Sequence, residues 1–230
     1  AAFGNGKKLG FSFQPQQHVC KRNIAIVERD GEPALRIATG RGDGIGNTGR
    51  KDRSGWSDIK QGDRRRFELL LHQKVRDRQP FRFEFSVRVP EDMQFMAGDS
   101  DSMVDESEFY IFQLKSPVIG APVISAKVSR SQGINLLGFK VQKPDQFGEW
   151  VKLRVEFRPS AKEDGFTRLW VNDELLMDET GYATVWSKEK SGTYRVKFGI
   201  YQLNRDPKRI KADTIQAMEF KDFSFAYLKK

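Results

Sequence analysis

The chain has 230 residues, with 40 Lys and Arg against 31 Asp and Glu, a formal charge of +9 and a single cysteine. That length suffices for one large domain with its own core, and we read residues 1–230 as a single domain; Cys20 alone excludes an intrachain disulfide and a cysteine-based zinc site. The charge favours an acidic partner, and no apolar run reaches membrane-spanning length.

The N-terminus, Ala1-Ala-Phe-Gly-Asn, lacks the basic-then-apolar pattern of a signal peptide, and its small alanines suit a chain whose signal has been removed. We therefore expect a secreted or periplasmic location. Residues 40–62, rich in Gly and charge, read as a loop. In Arg64 to His72 the period-two face carrying Arg64, Arg66, Glu68 and His72 opposes Phe67, Leu69 and Leu71. Phe81 to Val89 is apolar at every odd position and polar at every even one. An acid-rich loop covers 90–108. In Phe109 to Lys115, Gln113 and Lys115 share one face, and Tyr110, Phe112 and Leu114 the other. Val123 to Ser129 sets Ser125, Lys127 and Ser129 against Ile124, Ala126 and Val128.

Trp150 to Phe157 turns Val151, Leu153, Val155 and Phe157 inward. Thr167 to Val171, the turn signal Asn172-Asp173 and Glu174 to Met177 predict a hairpin. Tyr194 to Gln202 splits into apolar Tyr194, Val196, Phe198 and Ile200 and an opposite face of Arg195, Lys197 and Tyr201, with Gly199 where backbone or ligand can approach closely. Phe220 to Leu228 reads as a closing strand. Prolines fall between or at the ends of these segments. The pattern predicts an all-β chain, a β-jelly-roll sandwich of two antiparallel sheets with a concave cleft.

An ordinary solvated sheet face mixes Thr, Ser, Glu and Lys, and any one of these polar faces fits that description. Recurrence argues otherwise: four strands present Arg, Lys, Gln, His or Tyr. If they are neighbours, they form one surface suited to an acidic sugar.

Arg66-Phe-Glu-Leu69, Gln113 followed by Lys115, and Tyr194 to Gln202 resemble, in order and type, three signatures of the jelly-roll polysaccharide lyases, a group that includes alginate, glucuronan and heparin lyases. Gly31 to Arg36, Gly148-Glu-Trp150 and Gly165 to Asn172 with Trp170 extend the likeness, which is greatest to the heparin-lyase-like and glucuronan-lyase branch. The resemblance implies β-elimination on an anionic polysaccharide (glucuronan, alginate or heparin-like). It makes Tyr201, Gln113, Arg66 and His72 the catalytic candidates, and Lys115, Lys127, Arg195, Lys197, Glu68 and Arg64 the substrate-binding ones. Where the alginate-lyase branch has a histidine two residues after the glutamine, this chain has Lys115, so that role passes to His72, to Tyr201 itself or to another residue. The chemistry needs no cofactor. Members of the fold often carry structural calcium, for which Asp99, Asp101, Asp105, Glu106 and Glu108 supply oxygen ligands without matching a defined calcium loop.

The alternative is a non-catalytic carbohydrate-binding sandwich, with Trp56, Trp150, Trp170 or Trp186 stacking on sugars. A glycoside hydrolase needs two carboxylates across a cleft, and the candidate strands offer only Glu68. Nucleic-acid binding rests on charge alone, without a recognition motif. We expect a monomer with neither a nucleic-acid nor a membrane partner.

Overall fold

A strand with one apolar and one polar row must bury the apolar row, and two sheets do so by facing each other. The computed structural model of the chain adopts this solution and describes residues 10–13, 23–40, 65–95, 108–116, 122–185, 193–202 and 215–229. Its strands are β1 (Phe11–Phe13), β2 (Ile24–Arg29), β3 (Glu32–Thr39), β4 (Arg65–Leu71), β5 (Val75–Arg76), β6 (Phe81–Arg88), β7 (Phe109–Lys115) and β8 (Pro122–Ser129). They continue with β9 (Gly133–Leu136), β10 (Phe139–Gln142), β11 (Trp150–Arg158), β12 (Gly165–Val171), β13 (Glu174–Tyr182), β14 (Thr193–Gln202) and β15 (Gln216–Tyr227). A single 3-10 turn, Pro144–Gln146, is the only helical element among the described residues.

The first sheet runs β1-β4-β14-β7-β8-β9-β10, with β5 paired to β14; the second runs β13-β12-β11-β6-β15-β3-β2. All the pairings are antiparallel. Each alternating segment read from the sequence is a strand. β1, β2, β3, β5, β9 and β10 add strands whose patterns are short or broken. The loops expected at 40–62 and 90–108 fall largely outside the described residues.

The inward rows meet in a phenylalanine-rich core. Phe198 of the first sheet lies 4.6 Å from Phe223 and 5.5 Å from Phe220 of the second, ring centre to ring centre. Phe112 packs at 5.7 Å on Phe83 and 5.5 Å on Phe85. Each fully buried ring contributes about 1.5–3 kcal/mol by leaving water, which fixes which row of each strand faces in.

Asn172 and Asp173 have φ of 50° and 68°. Positive values at both central residues make the two-residue turn that matches strand twist, so β12 and β13 form the expected hairpin, with Val171 opposite Glu174. The C-terminal strand is not at an edge: β15 lies between β6 and β3. Its register shifts between Lys221 and Ser224, where Asp222 has φ 55°. This bulge lets Phe220 and Phe223, three residues apart, both enter the core.

Candidate active site

The four strands with unusual polar faces are consecutive in the first sheet, in the order β4-β14-β7-β8. Because Phe198 and Phe112 point into the core, the residues alternating with them face outward from the sandwich. Across the β4–β14 pair Tyr201 lies opposite Arg66, and Gly199 opposite Glu68. Across β14–β7 Lys197 meets Gln113, and Arg195 meets Lys115. Gln113 in turn faces Ser125. Residues 66, 113 and 201, far apart in sequence, thus share one surface.

At its centre stands Glu68, only 2% exposed. The Gln113 Nε2 donates to Glu68 Oε1 at 2.7 Å, and the Lys197 Nζ lies 3.5 Å from Oε2. Arg66 Nε is 4.0 Å from the same oxygen, and the Arg66 guanidinium sits 3.8 Å from the centre of the Tyr201 ring. Arg66, Gln113, Lys197 and Tyr201 are themselves buried. A buried charge is tolerated only when paired and hydrogen-bonded, and here one carboxylate gathers an amide and two cations. Burial pulls the Lys197 ammonium down from 10.5 to about 8; Glu68 opposes that shift, while Arg66 and Lys115 add to it.

Backbone irregularities shape this surface. Gly199 has φ 133°, and a Cβ there would lie 2.3 Å from the Phe67 carbonyl oxygen. The close approach anticipated at this glycine is made by the backbone of β4. In β7, Tyr110 pairs with Lys127 and Phe112 with Ala126, two consecutive residues of β8, so Ile111 is an extra residue. The bulge corrects the alternation: Tyr110, expected to share the inward face of Phe112 and Leu114, turns outward instead. Its ring stacks on Tyr201 at 5.9 Å, and the Lys127 ammonium lies 5.1 Å from its centre. Lys127 also bonds Glu108 at 2.6 Å, which holds it above its ordinary lysine value although burial works against this.

The family described as polysaccharide lyase matches residues 5–216. This chain belongs to that family. The fold of the lyase is shared with solved structures at low sequence identity. An endo-β-1,4-glucuronan lyase from the fungus Trichoderma reesei aligns with a TM-score of 0.63 and 13% identity, over 99% of this chain and 94% of that one. The alginate lyase AlgAT5 aligns at 0.59 and 12%, over 92% and 85%. A variant of the alginate lyase Aly36B in complex with an alginate trisaccharide aligns at 0.57 and 9%, over 90% and 85%. No curated protein sequence matches significantly.

Within the lyase, the candidates divide by position. Arg66, Glu68, Gln113, Lys197 and Tyr201 form the buried cluster, with half-buried Lys115 and exposed Arg195 opposite each other at one end and Lys127 at the other. His72 is not among them. β4 ends at Leu71, and His72 sits exposed in the bend beyond, its backbone N–H donating to the Gly10 carbonyl at 2.9 Å. Six residues separate it from Arg66, roughly 20 Å of extended chain, so the alternation that aligned them overran the strand. Arg64 lies outside the described residues, as do Asp99, Asp101, Asp105, Glu106, Trp56 and Trp186. Among the described residues no group of three metal-ligating side chains converges. Trp150 and Trp170 are on the outer face of the second sheet, where Lys221 lies 4.7 Å and Arg154 5.5 Å from their respective ring centres. Tyr110 is the site residue that the sequence reading misplaced; the unbroken apolar run Phe109 to Phe112 is its one signal.

Proposed function

We propose that this polysaccharide lyase cleaves a uronic-acid chain by β-elimination, with Tyr201 as the proton-transfer residue and Gln113, Arg66 and Lys197 as the groups that neutralise the sugar carboxylate. The reaction breaks C5–H and C4–O and forms the C4–C5 double bond. Its difficulty is that the carbanion develops beside a carboxylate that already carries charge. Fixed donors and cations lower that barrier most effectively where water is excluded, and the buried Gln113, Lys197 and Arg66 supply such an environment. Tyr201 takes the C5 proton as its phenolate and, on the same face, returns it to the departing oxygen. The Arg66 guanidinium over the ring favours the negative charge this step requires.

The observation that carries the reading is the convergence of Arg66, Gln113, Lys197 and Tyr201 on adjacent strands around one outward face. Lys115, Arg195 and Lys127 extend positive charge along it, which suits glucuronan, alginate or a heparin-like chain. We further propose that the enzyme acts as a monomer in a secreted or periplasmic setting, with neither nucleic acid nor membrane as partner. Proton transfer and charge neutralisation need only side chains, so the proposal includes no cofactor; calcium, if bound, is structural. The test is incubation with each polyuronate while following the ultraviolet absorbance of the unsaturated product. Rising absorbance is expected with at least one polymer and unchanged by a chelator. Binding without absorbance would instead establish a carbohydrate-binding sandwich.

A further inference from the structure

Glu68 has no obvious place in the chemistry just described, because a carboxylate repels the carboxylate of the sugar. Yet it is the residue on which the cluster converges. The Gln113 amide donates to one of its oxygens at 2.7 Å, and the Lys197 ammonium and Arg66 Nε lie 3.5 and 4.0 Å from the other. These contacts join β4 to both β14 and β7, across a glycine that admits the β4 backbone at close range.

We propose that Glu68 is a positioning residue for elimination: its carboxylate orients the Gln113 amide and pairs with the Lys197 ammonium, so that both meet the uronate carboxylate already in place. This rests on the proposed polyuronate reaction. An amide NH2 carries two donors; fixing one on Glu68 sets the direction of the other. It also fixes which end of the side chain is nitrogen, and an amide turned the other way would present its oxygen to an anion. The second task is electrostatic. Lys197 faces Glu68 and Arg66 from β4, Gln113 and Lys115 from β7, and Arg195 and Tyr201 on its own strand. Glu68 is the anion among these, and it opposes the burial, Arg66 and Lys115 that drive the proton off. With Lys197 neutral, the site loses positive charge where the reaction needs it.

Two substitutions separate these tasks. Glu68→Gln removes the charge, whereas Glu68→Asp keeps it but draws it back from the amide. In Glu68→Gln the alkaline limb of the kcat profile is expected to move toward acid by about one pH unit or more, with kcat at its optimum down about 100-fold. In Glu68→Asp, kcat falls while the limb stays nearer its wild-type position. KM changes less than kcat in both. A purely structural role would lower stability without moving the limb.

The Lys197 side-chain NMR signal, titrated in wild type and both variants, provides a readout independent of turnover. A midpoint lowered in Glu68→Gln and largely retained in Glu68→Asp is expected. Equal midpoints in all three, or unchanged kcat and limb in folded Glu68→Gln, would overturn the proposal. If Glu68→Gln does not fold, Glu68→Asp decides through kcat: a value within twofold of wild type rejects the orienting role. If wild type makes no unsaturated product from any polyuronate, the reaction assignment fails, while the titration still tests the pairing.

Discussion

The outer faces of the two sheets both alternate in charge, but they use it differently. On the second sheet the charges interleave: Arg82 lies 2.6 Å from Glu156, Arg168 2.8 Å from Asp178, and Arg154 2.5 Å from Glu84. Buried Glu219 takes Arg29 at 2.6 Å and Arg88 at 2.7 Å. On the first sheet Glu68 is the one carboxylate among the described residues that gathers two cations, and Arg195 is directly opposite Lys115. Like charges in that position destabilise a sheet. Among the described residues the second face thus spreads its ion pairs over several carboxylates, while the first gathers cations on one buried carboxylate at its centre, the face to which the proposed function assigns the substrate.

The sharpest way to break this contrast is Tyr201→Phe. Turnover should fall by about a thousandfold or more, with substrate affinity largely preserved, measured by product absorbance and by direct binding. Unchanged turnover would remove Tyr201 from proton transfer. Next is a matched pair across the two faces. Gln113→Ala should lower kcat by about 100-fold to 1000-fold and leave the melting temperature nearly unchanged. Glu219→Gln should do the reverse, destabilising by about 3 kcal/mol in denaturant titration with kcat intact, because it strands two arginines. If the two substitutions had the same signature, the division of labour would be wrong.

A subtler test uses pH. Lys197 loses its proton at about 8 in the folded protein and near the ordinary lysine value when unfolded. Below about 8 both states are protonated, and the folded one carries the full cost of the buried charge. As pH rises from about 8 toward 10.5 the folded state sheds that charge first, so this group's contribution makes the fold more stable, by on the order of 3 kcal/mol in all. Turnover that relies on the ammonium declines over the same window. Denaturation and kinetics across that range should therefore diverge in wild type, and in Lys197→Met the stability component should vanish. The smallest effect is expected for Arg168→Ala, at a partly exposed pair on the second face: about 0.5 kcal/mol or less, with unaltered kinetics.

Much of this arrangement can be read from alternation, because a period of two assigns a face to every residue of a regular strand. Arg66, Gln113, Lys197 and Tyr201 each lie on the face so assigned. Their adjacency is less legible: β4 and β14 pair across some 130 positions, and amphipathicity says nothing about which strand is the neighbour. The family signatures supplied that association. Periodicity failed where the backbone departs from it. The strand stops before His72, and Ile111 inserts a step between Tyr110 and Phe112. The burial of Lys197 was equally hidden, since a polar row predicts direction and not depth.

The extra residue at Ile111 also bears on how this sheet tolerates change. Phe109 and Tyr110 are one parity step out of phase with Phe112 to Lys115, so deletion of a single residue there would restore strict alternation and keep the Tyr110 phenol outward, but would draw it one residue along β7, out of register with Tyr201 on β14. Replacement at that position preserves the count and deletion does not. Along this strand chain length itself is information, and relatives of the enzyme should vary at 111 in identity far more freely than in number.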